Sequence, residues 1–314
     1  MSVLNRRAVL KGALGAFASW TSTRVLSAQQ ASGGVRRLTD RVTVVDGGGS
    51  NVVAFFTGES FVLVDGGAPK SFDTIMASLG AKARVHTLFN THHHIDQTGN
   101  NDMFSTGTQG TPLSSGGARI IAHKRTLEWM SADHWIHADE RYEKARPKAA
   151  RPTETFLTTG SLTAGGEQID YGYLTLAHTN GDMYVHFRKA NVLAVGDVAS
   201  PQRDPALDYL TGAWIGGRVD AMDVLLKLAN EQTRIVPAYG PVLSKAELKA
   251  ERDMMEEVRK RLFDRVREGD GPKDMLERGV LQGLARTWND PHKFLYDAAK
   301  GLWAHHDKLG PNVV

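Results

Sequence analysis

Three short apolar runs near the start of the chain limit the fold more than any other feature. Residues 42–45, 52–56 and 61–64 are each five residues or fewer and rich in Val and Phe, and they are separated by Gly47-Gly48-Gly49 and Thr57-Gly58-Glu59. Runs this short, punctuated by glycine, predict an antiparallel meander rather than helices. Residues 70–79 then carry Phe72, Ile75, Met76 and Leu79 at helical spacing, and residues 85–90 read as a short buried strand. Strand 120–122 and helix 124–130 repeat that alternation. Strands at 169–177, 183–187 and 192–195, a helix at 221–228 and a strand at 235–236 complete a mixed α/β layout with much antiparallel sheet, which disfavours a purely doubly wound fold.

After Pro241 the pattern changes. Ser244-Lys245-Ala246-Glu247 is a capping box, and Leu248, Met255, Val258, Leu262 and Val266 keep one face apolar until Gly269, Gly271 and Pro272. Further helices are expected at 275–284 and from Asp290-Pro291 onward. The expected organisation is a leader over 1–28, an α/β domain over 40–244 and a helical C-terminal part over 245–314. Loops 105–117 and 140–154 are read as solvated connections or as walls of an active site.

The 314 residues contain no cysteine, which removes disulfides, thiolate metal sites and a cysteine nucleophile together. Any metal must rest on His, Asp, Glu or water. The formal charge of +3 comes from the leader: Arg6, Arg7, Lys11 and Arg24 are its four positive charges and it has no acidic residue, so the remainder stands at −1. A near-neutral chain gives no reason to expect a nucleic-acid partner. The leader has the order of a signal peptide, a basic pair, an apolar stretch over 8–20 and then Leu26-Ser27-Ala28. Asn5-Arg6-Arg7-Ala8-Val9-Leu10-Lys11 resembles the twin-arginine export motif of bacteria. The resemblance implies the twin-arginine machinery as a partner and a periplasmic location. No later stretch reaches the ~20 apolar residues of a membrane span, so no stable membrane anchor is expected.

The chemistry gathers in Asn90-Thr91-His92-His93-His94-Ile95-Asp96-Gln97, directly after a predicted strand, where α/β folds place ligand sites. In extended backbone His92 and His94 project to one side, which lets two imidazoles reach one cation, while His93 faces the other way. His178, placed at the end of strand 169–177, is a third candidate, and Asp197 ends the strand over 192–195. Asp182 reads as a structural partner.

These motifs, with Asp65 in Val64-Asp65-Gly66-Gly67, resemble in order those of the metallo-β-lactamase superfamily. The resemblance runs from about residue 41 to 244. It implies an αββα sandwich of the α+β type and a metal ion held by His92, His94 and His178 with Asp197 beside it. Gln97 and Tyr239 stand where the family has the imidazoles of a second metal site, so one tightly held ion is expected. Zinc is the expected metal, and three imidazoles also suit iron or another divalent ion.

Three imidazoles leave zinc an open position for a water whose pKa falls toward ~7. Asp96 is the candidate to orient or deprotonate that water, and Tyr239 to donate a hydrogen bond to an oxyanion or leaving group. The expected activity is a periplasmic hydrolase acting on an ester, thioester, lactam or related small substrate. The alternative is a metal-binding accessory or sensor protein of the same fold without turnover. No GxSxG elbow, Walker loop or dinucleotide fingerprint competes.

Overall fold

The computed structural model describes residues 35–106, 117–136 and 140–305. The leader over 1–28 and most of loop 105–117 lie outside the described residues. In chain order the first part contains β1 (Val35–Arg37), β2 (Val42–Asp46), β3 (Asn51–Phe56), β4 (Phe61–Val64), α1 (Phe72–Leu79), β5 (Val85–Asn90), α2 (Ile95–Thr98) and α3 (Asn101–Thr106). It continues with β6 (Arg119–His123), α4 (Lys124–Met130), β7 (His134–Ile136), β8 (Arg141–Glu143) and β9 (Glu154–Phe156). The second part contains β10 (Thr159–Ala164), β11 (Glu167–Tyr173), β12 (Met183–Phe187), β13 (Val192–Gly196), α5 (Ile215–Leu228), β14 (Arg234–Pro237), α6 (Lys245–Arg267), α7 (Pro272–Glu277) and α8 (Pro291–Ala304).

The expected meander is present: β2, β3 and β4 pair antiparallel in sequence order. β5 and β6 then add in parallel, and the seven-stranded sheet runs β1-β2-β3-β4-β5-β6-β9. A five-stranded sheet runs β10-β11-β12-β13-β14. The two sheets face each other through Phe55, Val64, Phe89 and Ile121 on one side and Ile169, Met183, Val185 and Phe187 on the other. The outer face of the first sheet is covered by α1 and α3 through Leu63, Phe72, Ile75, Leu88 and Phe104. On the outer face of the second, Leu193 and Val195 pack in one cluster with Met222 of α5, Met255 and Leu262 of α6 and Leu295 of α8. The layers are therefore helix, sheet, sheet, helix. Adjacent residues of β5 show why it is apolar throughout: Leu88 points to the helices and Phe89 to the other sheet, both fully buried.

Four expectations change in detail, the first being that the helix expected over 221–228 begins at Ile215. β11 ends at Tyr173, so His178 does not sit at a strand end. Leu174 instead returns to Asp182 by a backbone hydrogen bond, and Leu176 takes φ 50°, which turns the chain out of the sheet. The helix expected over 275–284 lies at Pro272–Glu277, stopped by Gly279 at φ 72°. Strands β7 to β10 are present where short, polar or exposed sequence showed no clear alternation. The α6 capping box forms as read, with Ser244 and Glu247 bonded reciprocally. Among the described residues no helix is long and apolar enough to cross a membrane.

Candidate metal centre

The centre is built at the end of β5. Thr91 donates its backbone N–H at 2.8 Å and its hydroxyl at 2.9 Å to the Asp65 carboxylate, just after β4. Asp65 takes φ 67°, a left-handed conformation that costs a non-glycine residue ~1 kcal/mol or more, and these bonds help hold it there. With Asp65 ionised, the single hydroxyl proton of Thr91 is committed to that carboxylate. Its 3.1 Å contact with His92 Nδ1 is therefore one in which the imidazole donates. The lone pair of His92 is thereby assigned to Nε2, which is buried and has no hydrogen-bond partner.

The other two imidazoles are fixed by the same logic. His94 Nε2 lies 3.3 Å from Asp208 Oδ2 and donates to it, which leaves the lone pair on Nδ1. His178 Nδ1 donates to the Ala206 carbonyl at 2.9 Å, which leaves the lone pair on Nε2. Those two bare nitrogens, His94 Nδ1 and His178 Nε2, face each other at 3.0 Å. His178 itself is held by a tight turn in which Asp182 accepts from the backbone N–H of His178 at 2.6 Å and of Thr179 at 2.8 Å. Asp182 is thus a turn-forming residue, as the sequence suggested.

Three lone pairs that converge in a buried place repel one another unless a proton or a cation lies among them. His92, His94 and His178 offer ligand atoms that all lie within 4.8 Å of one another. Burial first, and the neighbouring imidazoles second, hold His92 and His178 well below the ordinary histidine pKa, so both imidazoles are neutral. Burial lowers His94 as well, but the Asp208 hydrogen bond and the charges of Asp208, Asp96 and Asp197 raise it on balance. Of the three, His94 is the imidazole that takes a proton most readily. The donor set, neutral nitrogens with an orphaned Nε2, fits a divalent cation.

Asp197 follows β13, with Oδ2 3.6 Å from His92 Nε2 and 3.9 Å from His178 Nε2. Gly196 allows this approach: it has φ 57°, and a Cβ there would meet the Thr91 side chain at 2.8 Å. Burial, with the charge of Asp96 added, pushes the Asp197 carboxyl up to about 7, against the pull of His94, Arg218 and Arg203. Asp96 and Tyr239 are brought together, the phenol donating to Asp96 Oδ2. Burial first and this bond second raise the Tyr239 pKa far above its ordinary value, so it remains a neutral donor. The Arg203 guanidinium lies over the Tyr239 ring, 3.2 Å from its centroid. Gln97 is fully buried, and neither amide atom has a partner.

A cavity of about 490 Å³ opens beside these groups, lined by His93, His94, Asp96, Asp208, Arg146 and the apolar Ile95, Trp129, Ile136, Tyr142 and Leu210. Glu143 and Lys144 also line it, so the first part of segment 140–154 is a wall of the site. His93 is a correction: it does not simply pack away from the site. It lines the cavity with Nε2 3.6 Å from Asp208 Oδ2 and its ring 4.9 Å from Trp129. Asp208 escaped sequence reading altogether, because Asp204-Pro205-Ala206-Leu207-Asp208 has neither periodicity nor motif.

A search of curated protein sequences returned no match. Among solved structures, a metallo-beta-lactamase from Pontibacter korlensis is 18% identical with a TM-score of 0.55, covering 71% of this chain and 98% of its own. DIM-1 metallo-beta-lactamase is 16% identical with a TM-score of 0.53, covering 71% and 96%. A double mutant of the sec-alkyl sulfatase PisA1 is 11% identical with a TM-score of 0.61, and the match covers 89% of this chain but only 52% of that one. At these identities the likeness is one of fold. The family model of the metallo-beta-lactamase superfamily matches residues 45–240, from β2 to just past β14, a span that takes in the whole histidine centre. With more than half of the chain matched and the four-layer sandwich in place, the chain belongs to the metallo-beta-lactamase superfamily.

Proposed function

We propose that the protein is a metal-dependent hydrolase that acts on an ester, thioester, lactam or related small substrate, with one zinc ion held by His92, His94 and His178 beside Asp197. The observation that carries this reading is the convergence of three lone pairs, each fixed by a different outer partner: Thr91, Asp208 and Ala206. When bound, such an ion supplies Lewis acidity and lowers the pKa of a water molecule. Asp96 has Oδ2 engaged by Tyr239, so Oδ1 is its acceptor for orienting a water or taking its proton. Tyr239 holds its proton and serves as a neutral donor, to Asp96 in the resting site and to a developing oxyanion or leaving group in the reaction. The apolar side chains in the cavity wall suit a substrate with an apolar group next to the scissile bond.

We further propose that the protein is exported by the twin-arginine route and works in the periplasm, on the strength of Arg6-Arg7 and the apolar stretch after them. Generic ester, thioester and lactam substrates test the activity. Turnover abolished by chelation and by His178→Ala is expected. Turnover that survives both would overturn the metal-dependent reading, whereas bound metal without turnover on any substrate would favour an accessory or sensor protein.

A further inference from the structure

The segment from Asp197 to Asp208 touches all three metal-ligand candidates. Asp197 approaches His92, Ala206 accepts from His178, and Asp208 accepts from His94. It has no regular structure that would hold these groups in place, so its position must be set from outside. Arg218 of α5 does this from the core. Its side chain is fully buried, one arm of the fork donates to the Ala206 carbonyl at 3.2 Å, and the other donates to Ser200 Oγ at 2.7 Å. Glu251 of α6 lies 3.7 Å from the same guanidinium and accepts from the Ser200 backbone N–H at 2.7 Å.

Burying a guanidinium costs several kcal/mol unless it is paired and hydrogen-bonded. Here the pairing goes to the segment that orients the imidazoles. The Ala206 carbonyl has two lone pairs, one taken by His178 Nδ1 and the other by Arg218. Fixing that carbonyl fixes the tautomer of His178, with Nε2 bare for a cation. Asp208, two residues on, is carried along, its N–H donating to the His178 carbonyl at 2.9 Å.

We propose that Arg218, clamped by Glu251, is a positioning residue for the metal centre, through which α5 and α6 set metal affinity. This rests on the reading of His92, His94 and His178 as metal ligands. The test is zinc affinity of the full chain by competition with a chromophoric chelator, with denaturant unfolding of each metal-free variant alongside. Arg218→Lys keeps a positive charge against Glu251 but lacks the fork that reaches Ser200 and Ala206 together. It is expected to weaken zinc binding ~10–100-fold, the usual cost of losing an outer-shell partner.

Arg252→Met is the control. It removes another α5–α6 tie, the Arg252–Asp223 pair at 2.8 Å, and is expected to leave zinc affinity unchanged. If Arg218→Lys fails to fold, Ser200→Ala, which removes one acceptor of the same fork, decides the matter, with a severalfold loss of affinity expected. Native zinc affinity in a folded Arg218→Lys, or in Ser200→Ala, would overturn the proposal, as would an equal loss in Arg252→Met. His178→Ala separates the two readings: if it too leaves zinc affinity unchanged, the ligand assignment falls, and if it alone weakens binding, only the role of Arg218 falls.

Discussion

Tyr239, in the loop after β14, donates its phenolic proton to Asp96, a residue 143 positions earlier in the chain. The bond ties the end of the second sheet's last strand to the histidine segment at the end of β5. Tyr239→Phe keeps the ring under Arg203 and removes only the donor. Turnover is expected to fall ~10²-fold, with KM and metal content little changed. Steady-state kinetics together with metal analysis check this, and an undiminished kcat would exclude Tyr239 from the chemistry.

Metal content after dialysis is expected to be near one equivalent per chain. His92→Ala deletes a proposed ligand and should weaken binding by more than the ~10–100-fold typical of outer-shell losses. Asp197→Ala should do less harm, because its nearest oxygen lies 3.6 Å from His92 Nε2 and the three nitrogens remain. Elemental analysis and chelator competition on the two variants give the comparison.

Gln97→His with Tyr239→His should add a second metal. Gln97 is fully buried with both amide atoms unpartnered, so an imidazole there breaks no hydrogen bond, and Asp96 and Asp197 already lie close enough to feel each other's charge. About two equivalents are expected, with reduced turnover, because Tyr239 is lost as a donor and a second cation would capture Asp96. One equivalent with full turnover would place both positions outside the site.

The metal-free protein should carry a pH-dependent weakness at Asp65. Burial pushes this carboxyl up to about 8, against its bonds from Thr91 and with some help from the charges of Asp197 and Asp96. Its folded pKa lies above the unfolded one, so its contribution to stability is fully present in acid and is lost as pH rises from about 4 through about 8. Asp65→Asn cannot ionise. Its stability relative to the parent should therefore increase across that window and level off above it, by ~1 kcal/mol or more in total. Denaturant titrations of both proteins at several pH values measure this, and a constant difference would refute the shift.

Export is expected to depend on Arg6 and Arg7 as a pair. Changing both to Lys keeps the charge and should strand the precursor in the cytoplasm. Cell fractionation checks it, and normal periplasmic yield would refute the twin-arginine assignment.

How much was legible in the sequence follows the range of the forces involved. The meander of β2 to β4, the alternation at β5, β6 and α4, and the Ser244 cap of α6 depend on residues within a few positions of each other. Periodicity and turn chemistry report them directly. The extended backbone expected from His92 to His94 is absent, because β5 ends at Asn90 and the chain bends over residues 91–93, which brings His93 to the site as well. The end of β11 was misplaced because the apolar run continues past Tyr173 while the turn around Asp182 draws the chain out of the sheet.

The sequence by itself determined the layered fold, the family and the candidate imidazoles for a metal, because these are written in local pattern and in motif order. Only the tertiary structure decided which nitrogen of each imidazole is bare. That choice is made by Asp65, which takes the Thr91 proton from 26 residues earlier and so turns Thr91 into the acceptor for His92, by Asp208 across 114 residues from His94, and by a backbone carbonyl 28 residues from His178. It also brought His93 into the cavity wall and set a fully buried Arg218 behind the segment that orients the site. Such contacts depend on how the layers pack around the metal centre, and distances of this kind in the chain leave no trace in the spacing of neighbours.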